Sequence, residues 1–138
     1  MASSRIPQDR SYTRAHLWVK QDEGGVLVGI TARIIERLGP LIAVELPEPD
    51  DEMMCGVPFG AIEGMEGLHE LVPPGDAQVL EVNESVMWDV DLLKSDPYAA
   101  GWLLRIKMHD PSQLDDVLDA AGYAKHCEKS WKKKGAKK

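Results

Sequence analysis

The chain has 138 residues and a mass of 15.3 kDa, the size of one ordinary domain, and its 43% hydrophobic and 28% charged residues suit a folded chain rather than a disordered one. It holds no apolar run of about 18 residues that would cross a membrane as a helix. Met1 to Arg14 carries no apolar run of the secretory kind, and two cysteines, Cys55 and Cys127, are too few for a disulfide framework and fit a reducing, cytoplasmic setting. The net charge of −7 is unevenly placed: six of the sixteen cations fall from Lys129 onward, which leaves ten against 23 acids in residues 1–128. An acidic body repels phosphate backbones, so the sequence argues against nucleic acid and for protein partners with basic faces. Residues 1–11 read as a disordered arm, 12–128 as the domain, and 129–138 as a basic, solvated tail.

The first element in chain order is a hairpin. Leu17–Lys20 and Val26–Ile30 are β-branched and aromatic segments that flank a turn ending in Gly24-Gly25. Thr31 then stands as the cap of a short helix whose Ile34, Ile35 and Leu38 share one stripe and which Gly39-Pro40 ends. Leu41–Leu46 reads as a strand stopped by Pro47. Residues 47–52 read as an acidic, proline-rich loop, and Gly56–Ile62 as a short extended stretch made irregular by Pro58. In Glu63–Leu68, Gly64 and Gly67 bracket Met65-Glu66, which predicts a tight turn with methionine and glutamate at its tip. Leu71-Val72 leads out of it into a second turn, Pro73–Asp76.

Gln78–Val82 reads as a strand, and Asn83 as the cap of a helical segment running through Leu93 before Pro97. Gly101–Lys107 reads as the last strand, with Trp102, Leu104 and Ile106 on one face and Leu103, Arg105 and Lys107 on the other. The final helix carries Asp110 as N-cap, Pro111 at N1 and Gln113 at N3 to complete a capping box. Leu114, Val117, Leu118 and Ala121 form its apolar stripe, Asp115 and Asp116 lie at the positive end of its dipole, and Gly122 closes its first part. The sum is mainly β, with short helices and a C-terminal helix on the sheets.

No catalytic set is visible, and the chain reads as a non-enzyme. His16, His69, His109 and His126, taken with Cys55 and Cys127, show no metal-ligand spacing. His69-Glu70 is an acid–base pair on paper and a solvated pair by the plainer reading. No phosphate-binding glycine loop or nucleophile elbow occurs. Met53, Met54 and Cys55 read as packing residues rather than as a soft-metal site. Trp18 and Trp102 are assigned to strands in the core. Trp88, in a polar acidic segment, is also assigned to packing, with exposure for a partner as the competing reading.

The order of several segments resembles the glycine cleavage system H protein family. The segments are Tyr12-Thr13 with His16, Trp18 and Val19; Val28–Thr31; Leu38-Gly39; Val44–Pro47; Glu81–Glu84; Ser95–Tyr98; Gly101–Leu103; Ile106-Lys107; and Leu118–Ala120 before Tyr123. The resemblance runs from about Tyr12 to Glu128. It implies a lipoyl/biotinyl-carrier barrel-sandwich hybrid fold. It also implies a carrier whose lipoyl-lysine, at a hairpin tip, shuttles a methylamine group among the glycine decarboxylase, the aminomethyltransferase and the dihydrolipoyl dehydrogenase. The family motif around that lysine is Glu-Ser-Val-Lys-Ala. Here it reads Glu63-Gly64-Met65-Glu66-Gly67, so the attachment position falls on Glu66, flanked by Glu63, Met65 and Glu70. No lysine lies between Lys20 and Lys94. Amide formation needs a nucleophilic amine, so the expectation is no cofactor. The resulting reading is a non-lipoylated binding, regulatory or scaffold protein toward glycine-cleavage or lipoate-attachment enzymes. The alternatives are a working lipoyl carrier with its arm on another lysine, and an old fold reused for an unrelated binding role.

Overall fold

A computed structural model describes residues 6–22 and 24–127. Two antiparallel sheets enclose one main core. The strands are β1 (Ser11–Tyr12), β2 (Leu17–Asp22), β3 (Gly25–Ile30), β4 (Leu41–Glu45), β5 (Glu52–Met53), β6 (Gly60–Gly64), β7 (Gly67–Leu71), β8 (Ala77–Val82) and β9 (Leu104–Met108). The larger sheet has the order β1-β2-β3-β9-β8-β5 and the smaller β4-β6-β7. Alternation decides which side chains enter: Leu104, Ile106 and Met108 of β9 are buried, while Arg105 and Lys107 between them are not. Leu17, Val28, Ile62, Leu71, Val79 and Ile106 meet between the sheets.

Helix α1 (Ala32–Leu38) follows the first hairpin and buries Ala32, Ile34, Ile35 and Leu38, as its stripe predicts. Its cap differs from the expectation. The Thr31 side chain makes no capping bond. The Tyr98 hydroxyl accepts from the Ala32 N–H at 3.0 Å, which frees the Thr31 hydroxyl to bond the Tyr123 hydroxyl at 2.7 Å. At the other end Gly39 takes φ 68°, and its N–H donates to the Glu36 carbonyl.

Other expectations are corrected by long-range pairing. The segment read as the loop 47–52 ends in strand β5, because Glu52 and Met53 pair with Gln78 and Ala77. The helical segment expected from Asn83 to Leu93 is two single turns, α2 (Ser85–Trp88) and α3 (Leu92–Ser95), each held by one buried side chain, Val86 and Leu93. Trp102 and Leu103 precede β9 instead of belonging to it. Leu103 is fully buried rather than on the outer face, since its N–H bonds the Val28 carbonyl and its carbonyl accepts from Asn83.

The expected C-terminal helix is divided. Pro111–Asp116 is a 3-10 helix capped by Asp110, whose carboxylate accepts from the Ser112 N–H. Gln113 closes no capping box; its Oε1 accepts from the Asp76 N–H at 2.8 Å. Val117 is extended and Leu118 exchanges both backbone bonds with Tyr12. Helix α4 (residues 120–127) follows, with Asp119 as its cap through the Gly122 N–H. Gly122 thus lies in a first turn, not at an end, and Ala121 is exposed. The side chains of Asp115 and Asp116 and the whole tail from Glu128 lie outside the described residues.

The second core cluster, Tyr12, Trp18, Tyr123 and Cys127, fastens β1 and α4 to the back of the larger sheet. Part of the expected arm joins it: Ile6 packs on this cluster, Ser11 pairs with Val19, and the Arg10 guanidinium lies 4.6 Å from the Trp18 ring centre.

Candidate functional site

Strands β6 and β7 form the hairpin predicted around Met65-Glu66. Gly64 pairs with Gly67, leaving those two residues as the turn. Both are exposed, Met65 at 69%, and Leu68 beside them is 60% exposed. The tip is fixed by backbone bonds to the end of α1 and the segment just after it: the Met65 N–H donates to the Pro40 carbonyl at 2.8 Å and the Glu66 N–H to the Leu38 carbonyl at 3.0 Å. Gly64 is required by this approach, because a Cβ there would run into the Leu38 carbonyl oxygen and side chain. The Glu66 side chain folds back over Gly39, close enough that a Cβ at Gly39 would lie 3.0 Å from the carboxylate.

The outer face of the smaller sheet follows from register. Ala43, Glu63 and Leu68 form one cross-strand row, and Glu45, Ala61 and Glu70 the next. Glu63 and Glu70 are diagonal neighbours on one exposed surface, with Leu68 directly across from Glu63. The hairpin therefore presents carboxylates around a small apolar centre.

His69 and Glu70 do not act together. They are consecutive strand residues and project to opposite faces; the His69 ring nitrogen Nε2 donates to the Ala15 carbonyl at 3.2 Å. On that side the structure gathers three of the four histidines, which sequence spacing keeps apart. Their ring centres lie 5.9 Å apart for His16–His69 and 5.3 Å for His16–His126, and the Tyr123 hydroxyl is 2.8 Å from His16 Nδ1. No group of His, Cys, Asp and Glu among the described residues is arranged to hold a metal ion. The period-2 placement of His69 opposite the buried Ile62 was the available clue; the approach of α4 had none. His109 lies elsewhere, 2.7 Å from Glu52.

Trp88 contradicts its assignment to packing. It is 88% exposed, and Met87 beside it is 45% exposed, because Val86 takes the buried position of the single turn α2. Met53 is buried as expected, whereas Met54 and Cys55 are exposed. No helix among the described residues is long and apolar enough to cross a membrane.

An amide-linked lipoyl group does not fit residue 66. The side chain there ends in a carboxylate, and Lys20, Lys94, Lys107 and Lys125 stand on β2, α3, β9 and α4 rather than at the tip.

The model of the glycine cleavage H-protein family matches residues 10–130. The glycine cleavage system H protein of Halothermothrix orenii is 35% identical over 123 residues, 89% of this chain and 96% of its own. That of Rubrobacter xylanophilus is 38% identical over 125 residues, 91% of this chain and 97% of its own. The crystal structure of the H protein from Mycobacterium marinum superposes with a TM-score of 0.81 at 34% identity, covering 89% of this chain and 99% of that one. The barrel-sandwich arrangement expected from the resemblance is thereby shown. The same matches overturn the expectation of no cofactor: lipoate is the cofactor of H proteins, whose part is to carry rather than to catalyse. By the family model and by these identities, the chain belongs to the glycine cleavage H-protein family.

Proposed function

We propose that this protein works beside lipoate-handling enzymes of glycine cleavage as a docking or regulatory member of its family. Its β6–β7 hairpin would present Glu66 where relatives present the lipoyl-lysine. The single observation that carries this reading is the tip itself. The turn is bracketed by Gly64 and Gly67, leaves Met65 and Glu66 exposed and is held by two backbone bonds, one to Leu38 at the end of α1 and one to Pro40 beyond it. A hairpin of that geometry enters a partner's cleft without needing an arm. With Glu66 at its tip and Glu63 and Glu70 exposed farther down its strands, it carries charge suited to a basic cleft mouth. A carboxylate at residue 66 accepts hydrogen bonds and pairs with cations, but it does not attack an activated acyl group.

Two measurements test this. The protein and Glu66→Lys are each co-expressed with a lipoate-attachment enzyme and mapped by peptide mass. The expected result is a lipoyl group on residue 66 of the variant, because Glu63 and Glu70 already flank it, and no acyl group on residue 66 of the wild type. In parallel, wild type is titrated against an aminomethyltransferase and a glycine decarboxylase at low and near-physiological salt. Binding to either that weakens with salt supports docking. No binding to either at low salt overturns it in favour of a reused fold.

A further inference from the structure

The turn α2 presents an aromatic side chain that the fold does not use. Trp88 is 88% exposed and Met87 is 45% exposed, and together with Glu84 they line a shallow depression of about 350 Å³. An indole in water forfeits the burial that makes tryptophan worth carrying, and an exposed Trp–Met pair is a larger apolar feature than the single exposed side chains common on surfaces.

The turn beneath is rigid. Val86 is fully buried. The Asn83 side chain accepts from the Ser85 N–H at 3.2 Å and donates to the carbonyls of Ala100 and Trp102 at 2.9 and 2.7 Å. Trp88 is thus carried on a backbone held by these bonds, so a partner has the indole side chain to order but not the turn.

The charge around it selects the partner. Glu84, Asp89, Asp91 and Asp96 are exposed, against one exposed cation, Lys94, in residues 84–96. The whole of residues 1–128 repeats this bias, with ten cations and 23 acids. An indole face attracts cations, and flanking carboxylates strengthen that preference.

We propose that α2 is a docking element for a basic protein segment: an arginine or lysine of the partner lies over the Trp88 ring, and an adjacent apolar side chain enters the depression between Glu84 and Met87. This surface is independent of Glu66 and of the role proposed for the hairpin tip.

The test uses the full chain and two synthetic peptides of equal length and charge, one alternating arginine with leucine and one arginine with serine. Binding is followed by calorimetry at near-physiological salt. The arginine–leucine peptide should bind, and Trp88→Ala should weaken it by about tenfold or more. The triple change Glu84→Gln, Asp89→Asn, Asp91→Asn should weaken it less and flatten its salt dependence. Because Trp88 is solvent-exposed, Trp88→Ala should keep the thermal midpoint of the wild type, so loss of binding is not loss of fold. Equal binding of the arginine–serine peptide would overturn the proposal by showing general attraction to an acidic body. So would unchanged binding by Trp88→Ala, or binding that appears only after removal of residues 129–138, which would make the chain's own tail the occupant.

Discussion

The Glu66 N–H donates to the Leu38 carbonyl at 3.0 Å, so the residue at the hairpin tip is tied to the last residue of α1. That carbonyl belongs to the negative end of a helix, and the Glu66 carboxylate folds over the adjacent Gly39. A glutamate there faces a partial charge of its own sign, whereas a lysine would face the opposite one. The geometry suits the cation better than the anion, although it holds the anion.

Glu66→Lys should therefore leave the fold intact and raise its stability slightly, by about 0.3–1 kcal/mol at low salt. Urea unfolding monitored by circular dichroism measures this, and the gain should shrink as salt is added. A marked loss of stability would mean that the Glu66 carboxylate makes a favourable contact that lysine cannot replace.

Gly64→Ala should act in the opposite direction. Its Cβ would collide with the Leu38 carbonyl oxygen, which accepts the Glu66 N–H. Relief requires the hairpin to move off α1, at a cost of about 1–3 kcal/mol. Amide hydrogen exchange at Met65 and Glu66 should quicken well beyond the global change. Gly56→Ala, in open space but at φ 81°, is the control for backbone strain without collision.

The local elements were legible where short-range chemistry decides them. The Gly64/Gly67 bracket located the tip, and Ile34, Ile35 and Leu38 located the buried face of α1. What the sequence concealed was set by distant partners. Leu118 leaves its helical stripe because Tyr12 offers two backbone bonds, and Thr31 leaves its cap because Tyr98 replaces it. β5 is two residues long and exists only through its pairing with β8. Trp88 was misplaced for a related reason: on a single turn one residue decides the buried side, and Val86 holds it. The identity of residue 66 was readable at once, while the contact of its backbone with α1 was not.

Tyr123→Phe tests the link between α4 and the first hairpin. The Tyr123 hydroxyl bonds both the fully buried Thr31 hydroxyl and His16 Nδ1. Removing it leaves a buried hydroxyl with one partner fewer, at about 1–3 kcal/mol. The ring stack on Tyr12, with centroids 4.9 Å apart, is retained. Unfolding should stay cooperative with a lower midpoint, and adding Thr31→Val should recover part of the loss, since it removes the stranded group.

The three tyrosines give the last prediction. Burial raises the pKa of Tyr12, Tyr98 and Tyr123 above the ordinary phenol value of about 10, most strongly for Tyr12 and Tyr123. The chain has three tyrosines in all, so no ordinary phenol is present to titrate. A group with a raised folded pKa contributes stability that is complete below its unfolded pKa and is lost as pH rises through the folded one. Phenolate absorbance at 295 nm should therefore rise later than for a free phenol, with Tyr12 and Tyr123 ionising in the step that coincides with the loss of near-ultraviolet circular dichroism. Tyr123→Phe should lower that step by one tyrosine and shift its midpoint by its own loss of stability. Titration of all three phenols near pH 10 while the dichroism persists would show that Tyr12 and Tyr123 are open to water.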